Sequence, residues 1–140
     1  MKLDSNVKLK SKYWNLIPWI SDQTATALYP NIYFPKNIHK DLQKTSPDSL
    51  NIAHLIHEQT HIKRIKKAGV LKFALKYFFD PGFRVAEELI AIKASMKFIK
   101  SKKLTWDINN SAKHLSGWLY LWPISYISVK ERLEKIWKEI

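Results

Sequence analysis

The chain has 140 residues and a mass of 16.5 kDa, room for a single domain, 1–140, around one modest core. Hydrophobic residues supply 46% and charged ones 26%, which excludes wholesale disorder, and the absence of cysteine excludes disulfide scaffolds, thiolate nucleophiles and Cys-based zinc fingers. Lys and Arg number 24 against 12 Asp and Glu, a net charge of +12 that attracts polyanions such as nucleic acid, anionic lipid headgroups or acidic cell-wall polymers.

In chain order, the basic start Met1-Lys2-Leu3 leads into no apolar run, so no secretory signal is read and a cytoplasmic location is expected. Trp14, Ile17, Pro18, Trp19 and Ile20 offer an anchoring patch. Residues 24–34 favour extended structure: Thr-Ala-Thr-Ala-Leu-Tyr and Ile-Tyr-Phe flank Pro30-Asn31, the pattern of a small hairpin. Pro30 and Pro35 predict edge positions for both strands. The edge around Ile32-Tyr33-Phe34 could accept an extended peptide as an added strand, or simply cover the helix that follows.

From Ser46-Pro47-Asp48 the pattern turns helical, with an N-cap, a first-turn proline and an early acid. Ile52, Leu55, Ile56, Gln59, Ile62 and Ile65 recur at three- and four-residue steps up to Gly69, a natural stop. A second helix is predicted over 70–79, ended by Asp80-Pro81-Gly82, and a third over 84–100 with Val85, Leu89, Ile92, Met96 and Ile99 as its stripe. A fourth is predicted between Asp107 and Trp122, halted by Pro123, and a fifth from the capping box Ser128-Val129-Lys130-Glu131. The apolar stretch 117–129 is shorter than the ~20 residues that span a bilayer and reads as a buried helix end. The fold class is α+β, predominantly helical, with a small N-terminal sheet and about five helices.

One constellation carries chemistry. His57-Glu58-Gln59-Thr60-His61 sets two imidazoles one turn apart on one helical face, where both reach a single Zn²⁺. Glu58 projects beside them as a general base for a metal-activated water. Chance produces such a pentad in roughly one chain per hundred of this composition, so the mid-helix setting adds weight. A hydrolytic zinc site needs a third protein ligand and an open position. The next acids are Asp80, Glu87 and Glu88; the last shares a face with Val85, Ala91 and Ile92 and is expected to point inward, whereas Glu87 is expected as a solvated charge near the helix start.

With Glu88 opening a Glu-x-x-Ala, the pattern resembles the zincin metallopeptidases, specifically the gluzincin branch and the small zincin-like proteins of bacteria and their phages. The resemblance covers residues 24–91. It implies a minimal zincin-like domain, a zinc peptidase acting on a peptide or protein, phage-encoded or virion-associated, with His57, His61 and Glu88 as ligands and Glu58 as base. Where larger gluzincins place an aspartate four residues after the ligand glutamate, this chain has Ile92, so the outer partner of the histidines is unassigned.

An oxyanion donor is also needed, for which Tyr120 is preferred, then His114, with Tyr77 and Arg84 as alternatives. His54 is expected to line the cleft or pack, and His39 to sit in a loop. The basic runs Lys63, Arg64, Lys66, Lys67, Lys72, Lys76 and Lys93, Lys97, Lys100, Lys102, Lys103 read first as solvated faces and second as surfaces for an anionic partner. The second class of function is therefore a non-enzymatic basic binding module with a structural or vestigial metal site. A carboxylate-bridged di-metal bundle would need a second Glu-x-x-His, which the chain lacks.

Overall fold

The computed structural model describes residues 3–11, 24–117 and 124–140. Tyr120 and the patch Trp14, Ile17, Pro18, Trp19 and Ile20 lie outside them. The chain is α+β and mostly helical: β1 (Val7–Leu9), β2 (Thr26–Leu28), β3 (Asn31–Phe34), α1 (Lys36–Leu42), α2 (Ser49–Ala68), α3 (Val70–Phe79), α4 (Pro81–Ser101), α5 (Ile108–Leu115) and α6 (Tyr126–Glu139).

The hairpin forms as predicted, with Thr26 opposite Tyr33 and Leu28 opposite Asn31, but β3 is not an edge strand. It is central, paired in parallel with β1 through Val7↔Ile32 and Leu9↔Phe34. Pro30 and Pro35 bracket the four residues of β3 rather than interrupting them, so no ladder N–H is lost. Because β3 is hydrogen-bonded on both sides, a peptide cannot add to Ile32-Tyr33-Phe34. Its alternating inward residues Ile32 and Phe34 are fully buried and pack with Val7, Leu42 and Leu55, which joins the sheet to α1 and α2.

Six helices form among the described residues, one more than expected. The additional α1 follows directly from Pro35 and places His39 on a helix rather than in a loop. Asp48, not Ser46, caps α2, its side chain accepting from the Leu50 N–H at 2.7 Å. Asp80 both ends α3 and caps α4, accepting from the Phe83 N–H at 2.9 Å, which lets Pro81 occupy the first helical position. α5 ends at Leu115 and Ser116 closes it, well before Pro123. α6 begins two residues before the expected capping box, with Ser125 as its cap and Ser128 inside the first turn.

α4 is the central element and contacts α2, α3 and α6. Its C-terminal half buries Ile92 and Met96 against Ala112, Leu115, Val129 and Leu133 of α5 and α6. Against α2 the contact is close, because Ala53 and Ala91 are small and fully buried and the Ser95 hydroxyl donates to the Ala53 carbonyl at 2.7 Å. A buried neutral hydrogen bond of this kind contributes about 1 kcal/mol and fixes the axial register of the two helices. That register brings the middle of α2 opposite the first turns of α4.

Candidate metal centre

α2 turns three side chains toward α4 at helical spacing: His57, His61 and Arg64. α4 answers with two consecutive glutamates. Glu88 Oε2 lies 3.2 Å from His57 Nε2, Glu88 Oε1 lies 3.3 Å from His61 Nε2, and the two Nε2 atoms are 3.1 Å apart. Two imidazole lone pairs do not face each other at that distance without a proton or a cation between them. Donors held tetrahedrally at ~2.0–2.1 Å from zinc stand ~3.3 Å from one another, so the observed spacing fits the donor set of a zinc site. Among the described residues these three form the group able to hold a metal ion.

Electrostatics favour a cation here. Burial works against the Glu88 carboxylate, but hydrogen bonds from His57 and His61 and their charges hold its pKa well below the ordinary carboxylate value. Burial likewise opposes a charged His57, yet the Glu88 hydrogen bond and charge, with Glu58 behind them, raise its pKa above the ordinary 6.5. Glu58 is pushed up by burial and drawn back by His57 and His61, with Glu88 and Lys10 as its remaining charged neighbours. Lys10 sits just beyond β1, its backbone N–H bonded to the Phe34 carbonyl and its ammonium to the Thr24 carbonyl at 2.6 Å. The sheet thus delivers a cation to the Glu58 side of the cluster.

Two features hold the Glu88 carboxylate, and neither supplies an outer partner for the histidines. Tyr77 donates its hydroxyl to Glu88 Oε1 at 2.5 Å, so an outer partner acts on the carboxylate. Arg84, buried at the start of α4, holds Tyr77 in place: its guanidinium donates to the Tyr77 carbonyl at 2.8 Å and the Phe78 carbonyl at 2.9 Å and lies 5.6 Å from the Tyr77 ring centroid. Phe73, one turn earlier, stacks on Tyr77 with centroids 5.8 Å apart. Gly69, at φ 87°, makes the one-residue junction that folds α3 back over the site, a backbone conformation that favours glycine. By contrast, His61 Nδ1 is buried without a hydrogen-bond partner among the described residues. Ile92, in the position where larger gluzincins carry an aspartate, packs into the α4–α5–α6 core.

Glu87 is not a solvated charge. It is buried and accepts a bidentate pair from Arg64, Nη2 to Oε1 at 2.6 Å and Nε to Oε2. Arg64 therefore leaves the basic run and belongs to the α2–α4 contact. His54 is exposed and outside the donor cluster, and His114 is exposed on α5. Of the oxyanion candidates, Tyr77 and Arg84 are engaged in the shell around Glu88. Tyr120 is outside the described residues. The available signal for Arg64 was its spacing, seven residues after His57, which continues the histidine-bearing stripe by one further turn.

No family model, curated protein or solved structure matches this chain. His57, His61 and Glu88 come from two helices whose register is fixed independently by Ser95, and the carboxylate is oriented by a third helix through Tyr77.

Proposed function

We propose that the chain is a zinc-dependent hydrolase of amide bonds, a zincin-like metallopeptidase, with His57, His61 and Glu88 as the metal ligands and Glu58 as the general base. The observation that carries this reading is the convergence of two imidazole Nε2 atoms and one carboxylate at 3.1–3.3 Å; Glu58, adjacent to His57 in the chain, is electrostatically coupled to all three. When bound, zinc supplies the Lewis acidity that lowers the pKa of water and polarises a carbonyl.

The chain's own residues do the rest. Glu88 neutralises one of the two positive charges and keeps the donor set compact. Tyr77 holds that carboxylate in one orientation, and Arg84 holds Tyr77. Glu58, raised in pKa by burial, takes the proton from the attacking water and returns it to the leaving amine. His57 and His61, and to a smaller extent Lys10, limit how far Glu58 rises, because nearby cations favour the carboxylate form that accepts the proton.

Elemental analysis of the purified chain, coupled to hydrolysis of a peptide library, tests the reading. One zinc per chain is expected, lost in His57→Ala and retained in Glu58→Gln, with hydrolysis abolished in both. A chain that carries no stoichiometric metal at neutral pH is the basic binding module instead. Undiminished hydrolysis by Glu58→Gln would remove the base from its assigned role.

A further inference from the structure

Among the described residues, α3 packs through one of its faces. Phe73 is buried and Tyr77 reaches Glu88, whereas Leu71, Leu75, Phe78 and Phe79 lie at steps of four, three and one on the other side and are 74%, 51%, 73% and 82% exposed. Single exposed apolar residues need no explanation, but four on one face of a ten-residue helix make a continuous patch. Eight of the ten residues in Val70–Phe79 are apolar, a composition suited to a helix covered on all sides. The two exceptions, Lys72 and Lys76, are exposed along one border of the patch. Lys63, Lys66 and Lys67 are exposed on the preceding helix, and no acid occurs between Glu58 and Asp80.

We propose that α3 is a membrane-docking element that lies in the headgroup layer of an anionic bilayer, with Leu71, Leu75, Phe78 and Phe79 buried at the acyl boundary and the lysines among the phosphates. The charge pattern chooses this occupant. Nucleic acid would satisfy the lysines and leave two phenylalanines and two leucines in water. A second copy would bring two lysine-bordered faces of chains carrying +12 each against one another. An anionic headgroup layer offers phosphate and hydrocarbon within a few ångströms. No helix among the described residues is long and apolar enough to cross a membrane, and ten residues span ~15 Å of a ~30 Å core, so α3 lies in the plane rather than across it. Docking would hold the candidate metal centre about one helix diameter, ~10 Å, from the lipid, since Tyr77 on the opposite face touches Glu88. The proposal stands apart from the hydrolase reading, because the docking face contributes no metal donor.

Flotation of the full chain with phosphatidylcholine–phosphatidylglycerol vesicles, against phosphatidylcholine alone, tests it. Binding is expected to the anionic vesicles and to weaken with salt. Phe78→Ser with Phe79→Ser should weaken it about tenfold or more, and Lys72→Gln with Lys76→Gln about fivefold per lysine. Both phenylalanines are mostly exposed, so the thermal melt should not move; if that pair fails to fold, Leu71→Gln reads the same face. Absence from anionic vesicles, or full binding by the Phe78→Ser/Phe79→Ser variant, overturns the proposal. So does a solution dimer that this variant dissolves, or a duplex DNA complex formed by a chain that ignores vesicles.

Discussion

The two halves of α4 solve opposite problems on one helix. The C-terminal half buries Ile92, Met96 and Ile99 among apolar side chains, where each contributes about 1.5–3 kcal/mol by leaving water. The N-terminal half buries Arg84, Glu87 and Glu88, three groups whose desolvation costs several kcal/mol per charge unless partners meet them. Each has its partner: Arg64 for Glu87, the histidines and Tyr77 for Glu88, the α3 carbonyls for Arg84. Stability alone does not require this half to be polar, since well-packed apolar residues would serve as well or better. The histidine–Glu88 part of the arrangement is compatible with the ligand set proposed above, and the apolar half supplies the stability that lets the polar half be kept.

Substitutions that separate the halves sharpen this division. Glu88→Ala is expected to lower zinc affinity by more than the 10–100-fold that losing an outer partner costs, whereas Glu87→Ala changes it far less, because Glu87 faces Arg64. A competition titration with a chromophoric chelator reads both, and the reverse ranking would move the ligand by one position. Met96→Ala should do the converse. It removes a fully buried side chain and costs about 2–5 kcal/mol in urea unfolding of the metal-free chain, with zinc affinity of the folded protein unchanged. Tyr77→Phe sits between them: the ring still stacks on Phe73, but Glu88 loses its donor, and zinc affinity is expected to fall about tenfold with little change in unfolding. Equal affinity in that variant would reduce Tyr77 to packing.

What was legible in the sequence follows the range of each interaction. His57 and His61 need only the pitch of one helix, and Glu88 needed only the face it shares with Val85 and Ile92, so local periodicity was enough. The Arg64–Glu87 pair depends on the axial register of α2 against α4, set by Ser95 and the Ala53 carbonyl, which no spacing within one helix encodes. β1 is three residues long and exists only through its pairing with β3; without that partner Val7-Lys8-Leu9 carries no signal above the basic start. α1 has just Ile38 and Leu42 as an apolar pair and no side-chain cap, too little to distinguish it from a loop. Lys10 was invisible for the same reason as β1. The prolines misled, because their cost depends on whether they fall inside a strand or at its ends.

The smallest expected effect concerns the joint between α1 and α2, outside α4. Asp41 accepts from the Asn51 side chain at 2.8 Å, from Lys44 at 2.7 Å and from the Asp48 N–H at 2.8 Å, and these bonds, Asn51 first, lower its pKa from the ordinary 3.8 to about 2. A carboxyl group whose pKa is lower folded than unfolded binds protons more weakly in the native state. Its contribution is therefore complete above the unfolded value of 3.8 and disappears as the pH falls toward about 2. Urea midpoints for wild type and Asp41→Asn should run parallel at neutral pH, with wild type more stable, and converge through that acid window. The other carboxylates titrate in both proteins, so the difference between the curves isolates this joint. Curves that stay parallel to low pH would mean that Asp41 is not titrating at the shifted value and that its contribution to the α1–α2 joint does not depend on its charge.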